Sequence, residues 1–294
     1  MSVNEDDQLD LGGNRHLSSL LMRDSLLSQA TRLSTATDVV PLLPFVKVIK
    51  LGGRSIIDHG SERLGPVLDE LELAMREHKI IIGVGGGSRS RHVFGVGLDL
   101  GLPTGVLAAL SATDAEQNAH IVAALLARFG VVSLPPPLVT HLLPALLSLG
   151  NAVVVNGVPP FELWEHPPMI GRIPANRTDV GMHLLAEICG ADRVILVKDV
   201  DGLYSSDPKT DAGATRFDRM TVDELRQGRP KTLPFDELLL DLLPLGRHCR
   251  TVQVVNGTVP KMLSRALEGE PVGSLIEAPR PLGGEPSGPD LDVG

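Results

Sequence analysis

The chain has 294 residues, 43% of them hydrophobic, and a formal net charge of −9, which allows one large α/β domain or two small ones with a substantial core. The acidic balance and an aromatic content of 3% argue against a nucleic-acid partner, which favours a basic surface and stacking platforms. No run is long enough to span a bilayer, no secretory pattern opens the chain, and the two cysteines, Cys189 and Cys249, suit free thiols in a reducing cytoplasm.

Residues 1–40 read as an N-terminal extension, in which 16–27 form an amphipathic piece that either clasps a partner subunit or stays loose. The apolar run 45–49 predicts a buried strand closed by the turn Lys50-Leu51-Gly52-Gly53. Ser61 is placed to cap a helix reaching about His78. Residues 80–82 predict a second buried strand, closed by Gly83-Val84-Gly85-Gly86-Gly87. A helix is expected from about Ala115 to Phe129, stopped by Gly130. The proline-rich stretch 133–177 contains one clear strand, 151–156, and otherwise reads as a lid, binding loop or assembly surface.

Thr178-Asp179 is expected to cap a helix ending near Gly190, and 193–197 to form the next strand. Thr221-Val222-Asp223-Glu224 has the pattern of a capping box. Residues 233–248 predict a helix interrupted at Pro244, 252–255 a strand, 260–267 a helix and 273–277 a last strand. The tail 279–294 is expected to be disordered. Alternation of this kind predicts a mostly parallel sheet covered by helices, an αβα sandwich spanning about 41–278.

Glycine-rich strand-to-helix turns let backbone N–H groups approach a phosphate and aim a helix N-terminus at negative charge. Two of them, with Lys50 at the first, make a nucleotide the first ligand to consider. The second turn is neither a Walker loop nor a dinucleotide fingerprint, since Ser88 stands where a third glycine would be needed. Arg89 and Arg91 follow it, either facing an anion or solvating a helix start. The segment from Lys198 to Lys209 ends a strand in lysine and continues through Asp199, Asp201, Gly202, Tyr204, Asp207 and Pro208. Carboxylates beside lysines at a strand end suit a magnesium–phosphate site, and an ordinary polar turn is the competing reading.

These motifs occur in the order of the amino acid kinase superfamily, and the chain resembles its bacterial uridylate kinase branch over roughly 45–278. The resemblance implies the amino acid kinase fold. It implies that Lys50, Gly52, Gly53, Gly85, Gly86 and Gly87 hold phosphates, that Asp179 organises the reacting groups, and that Lys198, Asp199, Asp201, Gly202, Tyr204, Asp207, Pro208 and Lys209 belong to the nucleotide site. Lys50, Asp179 and Lys198 are the catalytic candidates, with ATP and Mg²⁺ as cofactors. The uridylate acceptor segments are not matched: the chain has Leu98-Asp99-Leu100-Gly101-Leu102-Pro103 and Gly171-Arg172-Ile173-Pro174-Ala175-Asn176-Arg177 instead.

The departures resemble the molybdenum storage proteins, an offshoot of the same superfamily. The matching runs are Arg89-Ser90-Arg91-His92-Val93-Phe94, Val96-Gly97-Leu98-Asp99-Leu100-Gly101-Leu102-Pro103, Gln117-Asn118-Ala119-His120, Pro159-Pro160-Phe161, Ile173-Pro174-Ala175-Asn176-Arg177-Thr178-Asp179 and Val254-Val255-Asn256-Gly257-Thr258-Val259-Pro260. That resemblance implies a closed, hexameric cage made with itself or with a related sister subunit, holding polynuclear molybdate or tungstate oxide clusters. ATP hydrolysis would drive loading. Gln117 and His120 share a helix face, and an amide N–H or imidazole nitrogen suits an oxide surface. A second histidine that one subunit type carries just downstream is replaced by Leu134-Pro135-Pro136-Pro137, while Phe161-Glu162-Leu163-Trp164-Glu165-His166 resembles the other type. His141, His166 and His183 are the substitutes available, and His141 joins Gln117 and His120 as a candidate ligand. The alternative is a kinase that phosphorylates a nucleoside monophosphate or another small molecule. A weaker third reading is a paralogue that binds ATP and does neither.

Overall fold

Valine and isoleucine runs with almost no polar interruption form the centre of the molecule, as expected of strands buried on both faces. In the computed structural model, which describes residues 40–159, 173–174, 177–228, 230 and 232–279, these runs are β1 (Val46–Leu51), β2 (Lys79–Val84), β4 (Ala152–Asn156), β5 (Arg193–Lys198) and β9 (Thr251–Asn256). A short β3 (Val132–Leu134), β8 (Arg219–Thr221) and β10 (Ser274–Glu277) complete an eight-stranded sheet of order β3-β4-β2-β1-β5-β9-β10-β8. All neighbours pair parallel except β9 and β10, which are antiparallel. A separate hairpin pairs β6 (Leu203–Tyr204) with β7 (Arg216–Phe217).

Strand periodicity sorts the core into two layers. Val48, Ile81, Val153, Leu196 and Val254 point to one face and Ile49, Ile82, Val154, Ile195 and Val255 to the other. The first face is covered by helices α4 (Pro136–Leu149), α5 (Thr178–Cys189), α6 (Val222–Gly228) and α7 (Leu239–Leu242). The second is covered by α1 (Ser61–Ala74), α3 (Thr104–Leu126) and α8 (Met262–Leu267). Helix α2 (Gly87–Asp99) follows the second glycine turn. The expected αβα sandwich is therefore present, and no helix among the described residues is long and apolar enough to cross a membrane.

Several local expectations need correction. The third helix begins at Thr104, not near Ala115, because Pro103 holds the extended conformation that starts it and the Ala- and Leu-rich run propagates it. It passes into a 3-10 turn over Ala127–Phe129 and stops at Gly130, which adopts φ 76°. The stretch 133–177 is not all lid: Pro136 occupies the first turn of α4, where a missing N–H costs no hydrogen bond. The helix expected over 233–248 contracts to α7 and a 3-10 turn at Leu243–Leu245. Ser61 is the first residue of α1, and Gly60 takes the cap position. The capping box at Thr221 is reciprocal, with Glu224 Oε2 accepting Thr221 N–H at 2.7 Å and Thr221 Oγ1 accepting Glu224 N–H at 3.2 Å. The 16–27 arm, the 280–294 tail, the Pro160 and Phe161 positions and His166 lie outside the described residues.

Candidate functional site

Parallel strands end together, so whatever follows β1, β2 and β5 meets at one sheet edge. There the two glycine turns pack backbone against backbone. A Cβ on Gly53 would lie 2.6 Å from the Gly85 carbonyl oxygen and 2.7 Å from Gly87 Cα. Gly87 itself has φ 70°, a conformation that side chains resist. The turns floor a cleft of about 460 Å³.

At its base, β1 supplies Lys50, β5 supplies Lys198 and the first turn of α5 supplies Asp179. Lys50 Nζ lies 2.8 Å from Asp179 Oδ1, and Lys198 Nζ lies 2.9 Å from Asp179 Oδ2. Asp179 is only 3% exposed and Lys50 5%. Burial opposes charge on Asp179, but Lys198 and Lys50 outweigh it and hold the carboxyl well below the usual carboxylate range. Burial, followed by the charge of Lys50, lowers Lys198 against the pull of Asp179. One carboxylate shared by two ammonium groups leaves net positive charge facing the cleft.

The anticipated cap of α5 is arranged differently. Arg177 occupies the cap position and makes no side-chain cap bond. Asp236, from the segment before α7, accepts Asp179 N–H at 3.2 Å and pairs with Arg177 Nη2 at 2.8 Å. The Asp179 carboxylate is thereby left for the lysines. Burial and then the neighbouring charge of Asp179 push the Asp236 pKa up.

The Lys198–Lys209 segment mostly lines the cleft: Asp199, Gly202, Tyr204, Asp207, Pro208 and Lys209 all border it. Asp199 is held by Lys209 at 2.5 Å and by Arg63 at 2.9 Å. Asp207 accepts the backbone N–H of Lys209 at 2.9 Å, which folds its own turn. Asp201 is not at the cleft wall; it accepts Asn256 Nδ2 at 2.7 Å and the Tyr204 hydroxyl at 3.3 Å, fastening the loop to the end of β9. Of the two arginines after the second turn, Arg91 borders the cleft, whereas Arg89 donates to Asn118, whose Nδ2 in turn holds the Gly85 carbonyl at 2.6 Å.

Gln117 and His120 are exposed on α3, and His141 is exposed on α4; none of them borders the cleft. His183 is buried, 2% exposed, on α5. Arg54, Arg177 and Asp236 border the cleft and were not anticipated. Adjacency to Gly53 was a usable signal for Arg54. Asp236 left none, since its role depends on a contact across 57 residues.

Comparison with known proteins agrees with this architecture. The model of the amino acid kinase family matches residues 46–256. The crystal structure of uridylate kinase from Archaeoglobus fulgidus aligns with a TM-score of 0.61 and 26% identity, covering 79% of this chain and 100% of that one. The chain belongs to the amino acid kinase family. Within the family, the uridylate kinase of Methanocella arvoryzae is 30% identical over 78% of this chain and 98% of its own length. The molybdenum storage protein subunit beta of Azotobacter vinelandii is 43% identical over 89% of this chain and 97% of its own. This chain is a homologue of that subunit.

Proposed function

We propose that the protein binds Mg-ATP in the cleft and serves as a subunit of a molybdenum or tungsten storage assembly, with ATP hydrolysis driving uptake. The observation that carries the reading is the Lys50–Asp179–Lys198 triad beneath two interlocked glycine turns. The cleft suits a triphosphate: the two glycine turns line it, with no side chains to keep a phosphate from their backbone, and the buried lysines present charge that needs no reorganisation when phosphate arrives. Close backbone packing leaves no room for a side chain at Gly53 between the two turns.

Mg²⁺ bound with the nucleotide would neutralise phosphate charge, and Asp236, whose acidity burial and Asp179 disturb, is the carboxylate such a charge would relieve. The chain's own groups do the rest. Lys50 and Lys198 offset charge on the transferring phosphoryl group. Asp179 fixes both ammonium groups, and Lys209 and Tyr204 border the other part of the cleft. Sequence kinship to a molybdenum storage subunit supports oxometalate as cargo and a sister subunit as partner. Gln117, His120 and His141 are exposed away from the cleft, as ligands contributed to a shared interior would be.

Calorimetry with Mg-ATP tests the nucleotide site. Elemental analysis of protein purified from molybdate-supplemented cells tests the cargo, and an assay for UDP from UMP and ATP tests the kinase alternative. Many metal atoms per chain with no UDP supports storage. Steady UDP formation by metal-free protein replaces it with the kinase reading.

A further inference from the structure

At the sheet edge opposite the cleft, three metal-ligating side chains meet. Helix α1 ends at Ala74, and the turn after it carries Glu77 and His78 up to Lys79, the first residue of β2. Glu268 takes the C-terminal cap position of α8. One ligand atom from each of Glu77, His78 and Glu268 lies within 4.8 Å of the other two. His78 Nε2 is 3.3 Å from Glu268 Oε1, although the residues stand 190 positions apart. Backbone hydrogen bonds fix all three residues. The Ala74 carbonyl accepts His78 N–H at 2.9 Å and Glu77 N–H at 3.1 Å, and the Ser264 carbonyl accepts Glu268 N–H at 3.0 Å.

The cluster has no Lys or Arg counter-charge. Glu77 enters no ion pair among the described residues, and Glu268 faces only His78. The basic side chains next to them in sequence are engaged elsewhere. Arg76 pairs with Glu72 at 4.0 Å, Arg265 pairs with Glu270 at 2.7 Å, and Lys79 donates to the Gly150 carbonyl at 2.9 Å. The C-terminal ends of α1 and α8 add their own partial negative charge to the two carboxylates.

We infer that Glu77, His78 and Glu268 bind one divalent ion of the zinc class, which ties the end of α8 to the turn between α1 and β2. Two ligand atoms about 2.1 Å from a tetrahedral ion lie about 3.4 Å from each other. The spacing of His78 Nε2 and Glu268 Oε1, 3.3 Å, already has that value. Glu77 is exposed and unpaired, so its side chain is free to turn the remaining distance. The imidazole proton then resides on Nδ1, which leaves the Nε2 lone pair for the metal. An imidazole among the ligands favours zinc over Mg²⁺ and Ca²⁺, which take oxygen ligands. Water completes the fourth position at this half-open surface. The site is separate from the nucleotide cleft and does not depend on that reading. Strand β2 has six residues and carries the chain about 20 Å from His78 to the second glycine turn. The ion therefore acts as a cross-link between segments distant in sequence, out of reach of the phosphates.

The test uses the full chain, stripped of metal with a chelator that is then removed, and the variants H78Q and E268Q. Calorimetry measures Zn²⁺ binding in excess Mg²⁺, without nucleotide or molybdate. Diffraction from wild-type crystals grown with Zn²⁺, measured at the zinc absorption edge, locates the ion. The wild type is expected to take up a zinc ion that Mg²⁺ does not displace, with an anomalous peak between Glu77, His78 and Glu268. Each variant is expected to bind that ion at least about tenfold more weakly, since it lacks a direct ligand. The inference is overturned if the wild type binds no zinc, if Mg²⁺ displaces it, if the peak falls only elsewhere, or if either variant binds as tightly as the wild type. Circular dichroism checks that the variants are folded. Should either not fold, the position of the zinc peak in wild-type crystals decides. Failure of the nucleotide reading shows separately, as absence of Mg-ATP binding, and leaves this site untouched.

Discussion

Asp179 is the residue on which the site's charge balance turns. Asparagine in its place would leave Lys50 and Lys198 facing each other without a counter-charge and would remove the group that fixes them. We expect D179N to hydrolyse ATP at least about 100-fold more slowly while retaining nucleotide binding, since the lost carboxylate repels phosphate; single-turnover hydrolysis and calorimetry separate the two effects. An equal loss of binding would mean that Asp179 acts through folding. Acid titration follows from the same pair. Because the Asp179 pKa is depressed in the folded chain, its contribution is complete above the ordinary carboxylate range and is lost as pH falls below it.

His183 titrates in a different window. Burial, against the opposing charge of Glu187, lowers its pKa from 6.5 to about 4. Between those values the unfolded chain binds the extra proton, so stability falls as pH falls from 6.5 to about 4. The loss amounts to about 3 kcal/mol. Replacing His183 by glutamine is expected to flatten that stretch of the urea-midpoint profile; an unchanged slope would assign it to other groups.

Helix starts show how elements depend on distant parts of the chain. Asp58 accepts Ser88 N–H at 2.7 Å in the first turn of α2, Asp236 accepts Asp179 N–H in α5, and Glu70 accepts Lys261 and Ser264 N–H at 2.6 and 2.8 Å at the start of α8. Each carboxylate also complements the positive end of the helix it serves. Glu187 performs the same task for a loop, accepting the N–H groups of Arg247, His248 and Cys249. Truncating Glu70 to alanine is expected to cost about 1–3 kcal/mol by orphaning the donors at the start of α8. Hydrogen exchange should show that loss first in α8, and uniform loss across the sheet would contradict a local role. The glycine turns are less forgiving. Gly53→Ala is expected to abolish Mg-ATP binding, because its methyl group meets the backbone of Gly85 and Gly87 rather than a movable side chain. Unchanged affinity would show that the turns have room to part.

For the whole molecule, nucleotide binding in the proposed cleft would couple to folding, because both glycine turns, Lys50 and Lys198 stand at the ends of central strands and Asp179 opens α5 against them. Mg-ATP at about a hundred times its dissociation constant should stabilise the protein by about 2.7 kcal/mol. Thermal melting with and without ligand checks this, and no shift at saturating ligand would remove the cleft as the binding site. Large apolar side chains are exposed on α3, at Ile121 and Leu125, and separately on α4, at Leu138 and Leu142.

The amino-acid sequence by itself determined the succession along the chain of β1, β2, β4, β5, β9 and β10, the two glycine turns and the placement of Lys50 and Lys198, because buried strands are apolar runs and their ends carry the turn chemistry; the short β3 and β8 and the order of strands within the sheet came from the tertiary structure. It also carried the family through contiguous motifs. It misplaced the start of α3, which Pro103 sets, and overlooked α4, whose first turn holds Pro136 inside the stretch that reads as a lid, binding loop or assembly surface. The convergence of Arg54, Arg91 and Arg177, the withdrawal of Asp201 to Asn256, and the capping of α5 by Asp236 were decided only in three dimensions. Those features depend on which side chains from distant segments reach the same few ångströms, and local spacing carries no record of that.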